Sequence, residues 1–312
     1  TRWGRGFRIR FELAYRSGDF DAAEAHAQRV HDHAKWHGWP DLEFRAVLDL
    51  ATLSGARGER ELAAARVARA LAMPVAADPL LAAHGRQAEG MVHAMQGDHA
   101  AARIAFDEAT LRFERLGEPV EAANAARFGA LAALRSGDTS GAIDAASSAR
   151  ERFVRLGHRP GIAAVDNTLG EAHRATGDLA SAEQWYRSAR DGMRRLGMGR
   201  VVVPETNLAI VLLDLGRPGE ARAMLEAIAR DPACRIRASI HAAVRALLLA
   251  ASADERDWPA VDAAIGLARD AIGVGGRVDP DTDRALLRAV RAARAAGDEP
   301  RAAAIEALLA EP

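Results

Sequence analysis

Three places in the chain hold residues whose type and spacing suit chemistry. In "HAQRVHDHAKWHGW", residues 26–39, His33 and His37 lie four apart, which puts both imidazoles on one face of a helix. Such a pair can hold zinc if His26 or Asp41 adds a ligand. The same residues equally make a solvated, histidine-rich helix end, and that is the reading preferred here. "GVGG" at Gly273 to Gly276 has the look of a phosphate loop, but no Gly-Lys-Ser/Thr follows, so it reads as a connector between helices. Cys234 falls at the start of a helical stretch, where a thiol pKa can drop, yet the sequence pairs no histidine with it. Carboxylates are plentiful but spread over solvated positions. No nucleophile, base and orienting group assemble from these residues, so the chain is expected to be no enzyme and to use no cofactor and no metal.

Composition narrows the class. Of 312 residues 49% are apolar but only 5% aromatic, and alanine is the commonest residue. Small helix-favouring side chains suit closely packed helices better than a sandwich of sheets, which draws on β-branched and aromatic residues. A formal net charge of -1 argues against direct nucleic-acid binding, which usually shows a basic excess. Lys35 is the sole lysine beside many arginines, a bias expected of a G+C-rich bacterial gene. The single cysteine excludes an internal disulfide framework and a multi-cysteine zinc site, and a reducing cytoplasm is the simplest compartment. The longest apolar runs, such as Ile210 to Leu213, are too short to span a bilayer, and no signal peptide is visible. The chain begins "TRWGRGFRIRFELAYRSGD", without Met and already helical in pattern. It is therefore expected to be a fragment of a larger signalling polypeptide.

The elements that must position any site are set by a repeat. Gly-Asp pairs occur at Gly18, Gly97, Gly137, Gly177 and Gly297, and Gly58-Glu59 and Gly216-Arg217 fall in the gaps. From Gly18 the steps are 40, 39, 40, 40 and 39 residues, and the last interval, 81, is two periods. A missing turn is expected near Arg256-Asp257. Five residues after each turn stands Ala23, Ala63, Ala102, Ala142, Ala182, Ala221, Val261 or Ala302. Seven further on come Val30, Ala70, Ala109, Ala149, Ala189, Ile228, Ala268 and Leu309. "RLG" recurs at Arg115–Gly117, Arg155–Gly157 and Arg195–Gly197, where glycine can take the left-handed conformation that ends a helix. Each period thus reads as a helix, a tight turn, a second helix capped by Asp, and a stop. The small residue lets the second helix approach the first, with Gly90, Ala130, Gly170 and Ala209 as the facing positions.

The pattern resembles the tetratricopeptide repeat, whose signature is W-x2-L-G-x2-Y followed by A-x3-F. "TLGEAHRATGDLASAEQWYRSA" supplies Leu169, Gly170, Gly177, Asp178, Ala182, Tyr186 and Ala189 at that spacing, with Asp166 in place of Trp and His173 in place of Tyr. "NLAIVLLDLGRPGEARAMLEAI" matches at Leu208, Ala209, Gly216, Ala221 and Leu225. The resemblance implies an all-α solenoid of about eight helix-turn-helix repeats, wound as a right-handed superhelix over residues 1–312. Units of about forty residues are similar to those of bacterial regulators.

In that family the first helix of each unit lines a concave groove. Carried over by register, the groove would present Arg8, Glu12, Asp49, Gln87, Met91, Asn124, Arg127, Leu131, Asn167, Glu171, Thr206 and Asn207. Asn and Arg can bind a peptide backbone or a carboxylate with directional hydrogen bonds. Asn167 and Asn207 stand out as uncharged polar residues inside apolar helices, one period apart. The lysines of the family's carboxylate clamp are absent, which argues against a chaperone tail as ligand. The expectation is a cytoplasmic module of a bacterial signalling or transcriptional regulator, binding a protein or peptide. A small-molecule effector, a quorum-type peptide and self-association are the alternatives; no membrane contact is expected.

Overall fold

The computed structural model describes residues 10, 11, 13–15, 19–196, 202–231, 234, 238–275 and 280–310. Among them there is no strand. Helices follow one another in antiparallel pairs. The first described helix is α1 (Phe20–His37). Next come α2 (Pro40–Ala56) with α3 (Arg60–Leu71), α4 (Pro79–Met95) with α5 (His99–Arg115), α6 (Pro119–Arg135) with α7 (Thr139–Arg155), and α8 (Arg159–Thr176) with α9 (Leu179–Arg195). The series ends with α10 (Val202–Asp214) and α11 (Pro218–Ala229), α12 (Ala238–Asp254) and α13 (Trp258–Gly275), and α14 (Pro280–Ala295) and α15 (Glu299–Glu306). The chain divides into two compact units, Thr1–Ala172 and His173–Pro312.

The turn between α4 and α5 shows why the period is written in Gly-Asp. Gly97 takes φ 83°, and the Asp98 N–H reaches back to the His93 carbonyl at 3.0 Å. Asp98 then accepts the Ala101 N–H at 3.0 Å, satisfying a donor that helix geometry leaves free. Asp138, Asp178, Asp257 and Asp298 cap α7, α9, α13 and α15 in the same way. Where Asp is missing the side-chain cap is missing too. Glu59 accepts from Ser54 Oγ instead, and Arg217 ties to Glu183 and Glu220 while Pro218 opens α11. Proline costs nothing there, because its absent N–H would have had no helical acceptor. The Gly18 turn and Gly197 lie outside the described residues; Gly117 and Gly157 end their helices with φ 72° and 62°.

The turn expected near Arg256 is present, made by Arg256 itself at φ 57°. A left-handed conformation costs an L-residue about 1 kcal/mol or more, which glycine avoids. Arg256→Gly is therefore expected to raise the stability of the C-terminal unit by about 1 kcal/mol. An unchanged or lowered melting transition in that variant would contradict the strain argument.

The small-residue series accounts for the packing. Ala23, Ala63, Ala102, Ala142, Ala182, Ala221, Val261 and Ala302 all have 0% exposure. The second series is buried likewise except at Leu309, which is half-buried while Leu308 points inward. There α15 stops at Glu306 and the chain tightens into a 3-10 turn at Ala307–Leu309, which rotates the register. The segment Gly273 to Gly275, expected to be a connector, is the end of α13; Gly276 lies outside the described residues. In the N-terminal unit the alanine seams are filled out by fully buried Phe44, Phe113 and Phe153. In the C-terminal unit aliphatic side chains such as Leu208, Leu212, Leu225, Leu249 and Leu286 take that place.

Candidate functional site

In the N-terminal unit the first helices are α2, α4, α6 and the start of α8, and their register positions repeat. Leu48, Gln87, Arg127 and Asn167 stand at successive intervals of 39, 40 and 40 residues, and Thr52, Met91, Leu131 and Glu171 one helical turn later. All eight are half-buried, as side chains on the rim of a packed surface should be. Asp49 and Asn124 are half-buried as well. Arg8 and Glu12 lie outside the described residues.

The structure brings three of the expected residues together and adds a fourth. Asn167 Nδ2 donates to Glu171 Oε1 at 2.8 Å, and Arg135 Nη2 donates to Glu171 Oε2 at 3.2 Å. Arg127 stands on the same face of α6 as Arg135, eight residues earlier. Its Nε is enclosed and has no hydrogen-bond partner, and its guanidinium carbon rests 4.1 Å above the Phe128 ring. Burial pulls the Arg127 guanidinium down to about 10, with the negative charge of Glu171 working the other way. Phe128 in turn stacks on Phe106, ring centres 5.5 Å apart, so the cation sits on a rigid aromatic platform. Arg135 was not expected from the sequence. Its spacing of i+4 from Leu131 and i+8 from Arg127 was the signal that could have found it.

Next along the same face an apolar cavity of about 240 Å³ opens between α2 and α4. Tyr15, Leu48, Thr52, Gly55, Met91 and Met95 line it, with Val67 of α3 below. Of these only Met91 was expected. The space exists because Gly55 lacks a Cβ, which would stand 2.6 Å from Met95 Sδ.

The C-terminal unit differs. Thr206 departs from the expectation: it is buried, and its hydroxyl donates to the Val202 carbonyl of its own helix at 2.7 Å. A helical threonine meets its nearest acceptor one turn back, so it is not offered to a ligand. Asn207 is half-buried. Arginines of this unit are held by carboxylates. Arg288 bonds Asp254 at 2.6 Å and the Leu213 carbonyl at 2.7 Å, and Arg174 bonds Asp281 at 3.0 and 2.9 Å. Burial raises the Asp214 carboxyl above the usual carboxylate range, with Arg288 opposing it.

The His33 and His37 rings meet edge to face at 4.3 Å, and Trp39 stacks on His37 at 4.8 Å. Among the described residues no three His, Cys, Asp or Glu side chains are arranged to hold a metal. Cys234 is buried. No described helix is long and apolar enough to cross a membrane.

Paired helices recurring at forty-residue intervals, with one face of half-buried polar residues, define an all-α repeat solenoid. The tetratricopeptide-repeat family model matches residues 161–230, and a second one residues 12–29. These matches identify tetratricopeptide repeats over residues 161–230 and 12–29, and the helix pairs carry the same period through the other described residues. It matches no curated protein in sequence. Among solved structures it is similar to a Rap protein in complex with competence and sporulation factor, at a TM-score of 0.67 and 12% identity, over 99% of this chain and 100% of that one. NprR in complex with its cognate peptide NprX gives 0.55 and 11%, over 84% and 76% of the two chains. A signal transduction ATPase with a tetratricopeptide-repeat sensor from Pyrococcus horikoshii gives 0.59 and 14%, over 94% of this chain and 47% of that one. At these identities the likeness is one of fold.

Proposed function

We propose that the chain is a peptide- or protein-binding module, and that its binding surface is the first-helix face of the N-terminal unit. The observation that carries this is the cluster of half-buried Arg127, Asn167 and Glu171 with the exposed Arg135, polar groups on adjacent first helices in which the Arg127 Nε has no hydrogen-bond partner. Directional amide and guanidinium donors on a preformed helical surface suit an extended chain, whose backbone offers carbonyls and N–H groups at regular intervals. The Rap and NprR structures, each solved with a factor or peptide, support the reading. So does the sensor role in the name of the P. horikoshii protein. In this reading the module serves a bacterial cytoplasmic signalling or transcriptional regulator. Ligand on the first-helix face favours one arrangement of the helix pairs, and that population shift is passed to an attached module.

The test is titration with a pooled library of fluorescein-labelled hexapeptides, read by polarisation. Saturable binding that Asn167→Leu weakens at least tenfold is expected; binding that no first-helix substitution alters would contradict the assigned surface. Self-association is a second reading, favoured by Ile104 and Leu111 of α5 and Val154 of α7, exposed by 57, 52 and 51% on second helices. Light scattering separates the two, since a strict monomer at high concentration removes the second.

A further inference from the structure

Ion pairs such as Arg103–Asp138, Arg152–Glu114 and Arg301–Asp262 join residues within one period of each other. The pair of Arg174 and Asp281 spans 107 residues, from the last turn of α8 to the first turn of α14. It is bidentate, Nη1 donating to Oδ1 at 3.0 Å and Nη2 to Oδ2 at 2.9 Å. Two parallel charge-assisted bonds fix direction as well as distance. The two side chains are 17% and 20% exposed, so salt screens them poorly.

Arg174 opens a column. Asp214 and Asp254 follow at steps of 40, in the last turns of α10 and α12. The next step falls on Arg294 of α14, but Arg294 turns to Glu299 and Glu306. The column is met instead by Asp281, Arg284 and Arg288, which share one face of α14 at i, i+3 and i+7. Arg288 donates to Asp254 at 2.6 Å, to Asp214 at 3.4 Å and to the Leu213 carbonyl at 2.7 Å. Arg284 pairs with Asp281. The charges on α14 are thus the complement of those on Arg174, Asp214 and Asp254. Burial raises the Asp214 carboxyl, Arg288, Arg174 and Arg284 pull it back and Asp281 adds to the rise, so these charges all face one another. Asp214 stands seven residues after Asn207, on the same face of α10. The charged side of α14 therefore lies over the end of the first-helix face in this unit. Its other side, with Leu286, Ala289, Val290 and Ala293 buried, packs into the apolar core.

We infer that α14 is a strap latched over the first-helix face of the C-terminal unit by the Arg174–Asp281 pair, and that loss of this pair tilts it off that face. Removing one partner leaves the other a shielded charge without this counter-ion, and tilting returns it to water. The apolar side of α14 keeps its seat, so the strap lifts without detaching. A partner that reaches this end of the face must first displace Asp281 from Arg174. The inference goes beyond the peptide-binding reading and stands without it.

Double electron–electron resonance between spin labels tests it, in a Cys234→Ala background that removes the native thiol. One label goes on α9 at Gln184→Cys and one on α14 at Leu287→Cys, both exposed positions. The account expects one narrow distance distribution while Arg174 and Asp281 are intact. Arg174→Gln and Asp281→Asn each broaden it and move its mean to longer distance. Arg174→Lys, which keeps the charge but loses the fork, moves it less. The Arg174→Gln, Asp281→Asn double variant moves it no further than either single one, because both substitutions remove the same contact. A control pair, Gln184→Cys on α9 with Ala223→Cys on α11, keeps its distance in every variant and shows that the unit stays folded. An unchanged distance between the α9 and α14 labels would overturn the inference. Shifts that add in the double variant would overturn it too, since independent effects need no latch. A control pair that moves along with the first would replace the strap by a general loosening of the unit.

Discussion

Phe153→Ala is expected to lower the unfolding free energy by about 3–5 kcal/mol, read from chemical denaturation. The ring is fully buried in the last turn of α7 and stacks on His158 at 5.4 Å. On its other side the backbone of α8 lies against it, since a Cβ on Gly161 would stand 2.4 Å from the ring. His158 Nδ1 accepts the Gly161 N–H at 3.1 Å, so the same corner also caps α8. Removing the ring leaves a cavity that a glycine backbone and a stacked imidazole can fill only by moving. Because α8 carries Asn167 and Glu171, the variant should also bind peptide less well at temperatures where it stays folded. A loss below about 1 kcal/mol would mean that the corner collapses freely and positions nothing.

Ala142→Leu is the complementary prediction, with a cost of about 1–3 kcal/mol from overpacking. Ala142 is fully buried in the seam where α7 lies on α6, and Ala130, the α6 position expected to face it, is fully buried too. The close approach of the two helices depends on small side chains, and the extra bulk of a leucine must force them apart or off their rotamers. Asp144, exposed on the outer face of the same helix, serves as the control: Asp144→Ala should stay within about 0.5 kcal/mol of the wild type. Equal melting transitions for the two variants would contradict the register from which every helix pair was placed.

That register was legible because it is written in residues with one backbone consequence each. A glycine forty residues from the last one marks a turn, and the position survives even where Arg256 replaces the glycine. The described residues expected on the first-helix face are half-buried except Thr206. Periodicity assigns a face but not a partner. It could not show that the Thr206 hydroxyl turns back onto Val202, or that Arg135 reaches Glu171 across 36 residues of chain. Nor could it show the cavity, which depends on Gly55 facing Met95 and on Tyr15, which precedes α1. These are facts of side-chain geometry between helices, and composition carries no trace of them. The end of α13 was misread because glycines usually close helices, whereas Gly273 and Gly275 continue one.

The most direct test of the first-helix face as the ligand surface is photo-crosslinking. A selected hexapeptide carrying a diazirine at its apolar position is irradiated with the protein, and the adducts are mapped by mass spectrometry. The account predicts adducts on α2 and α4, at Thr52, Met91 and Met95. Adducts confined to the second helices, at residues such as Leu111 or Val154, would contradict it.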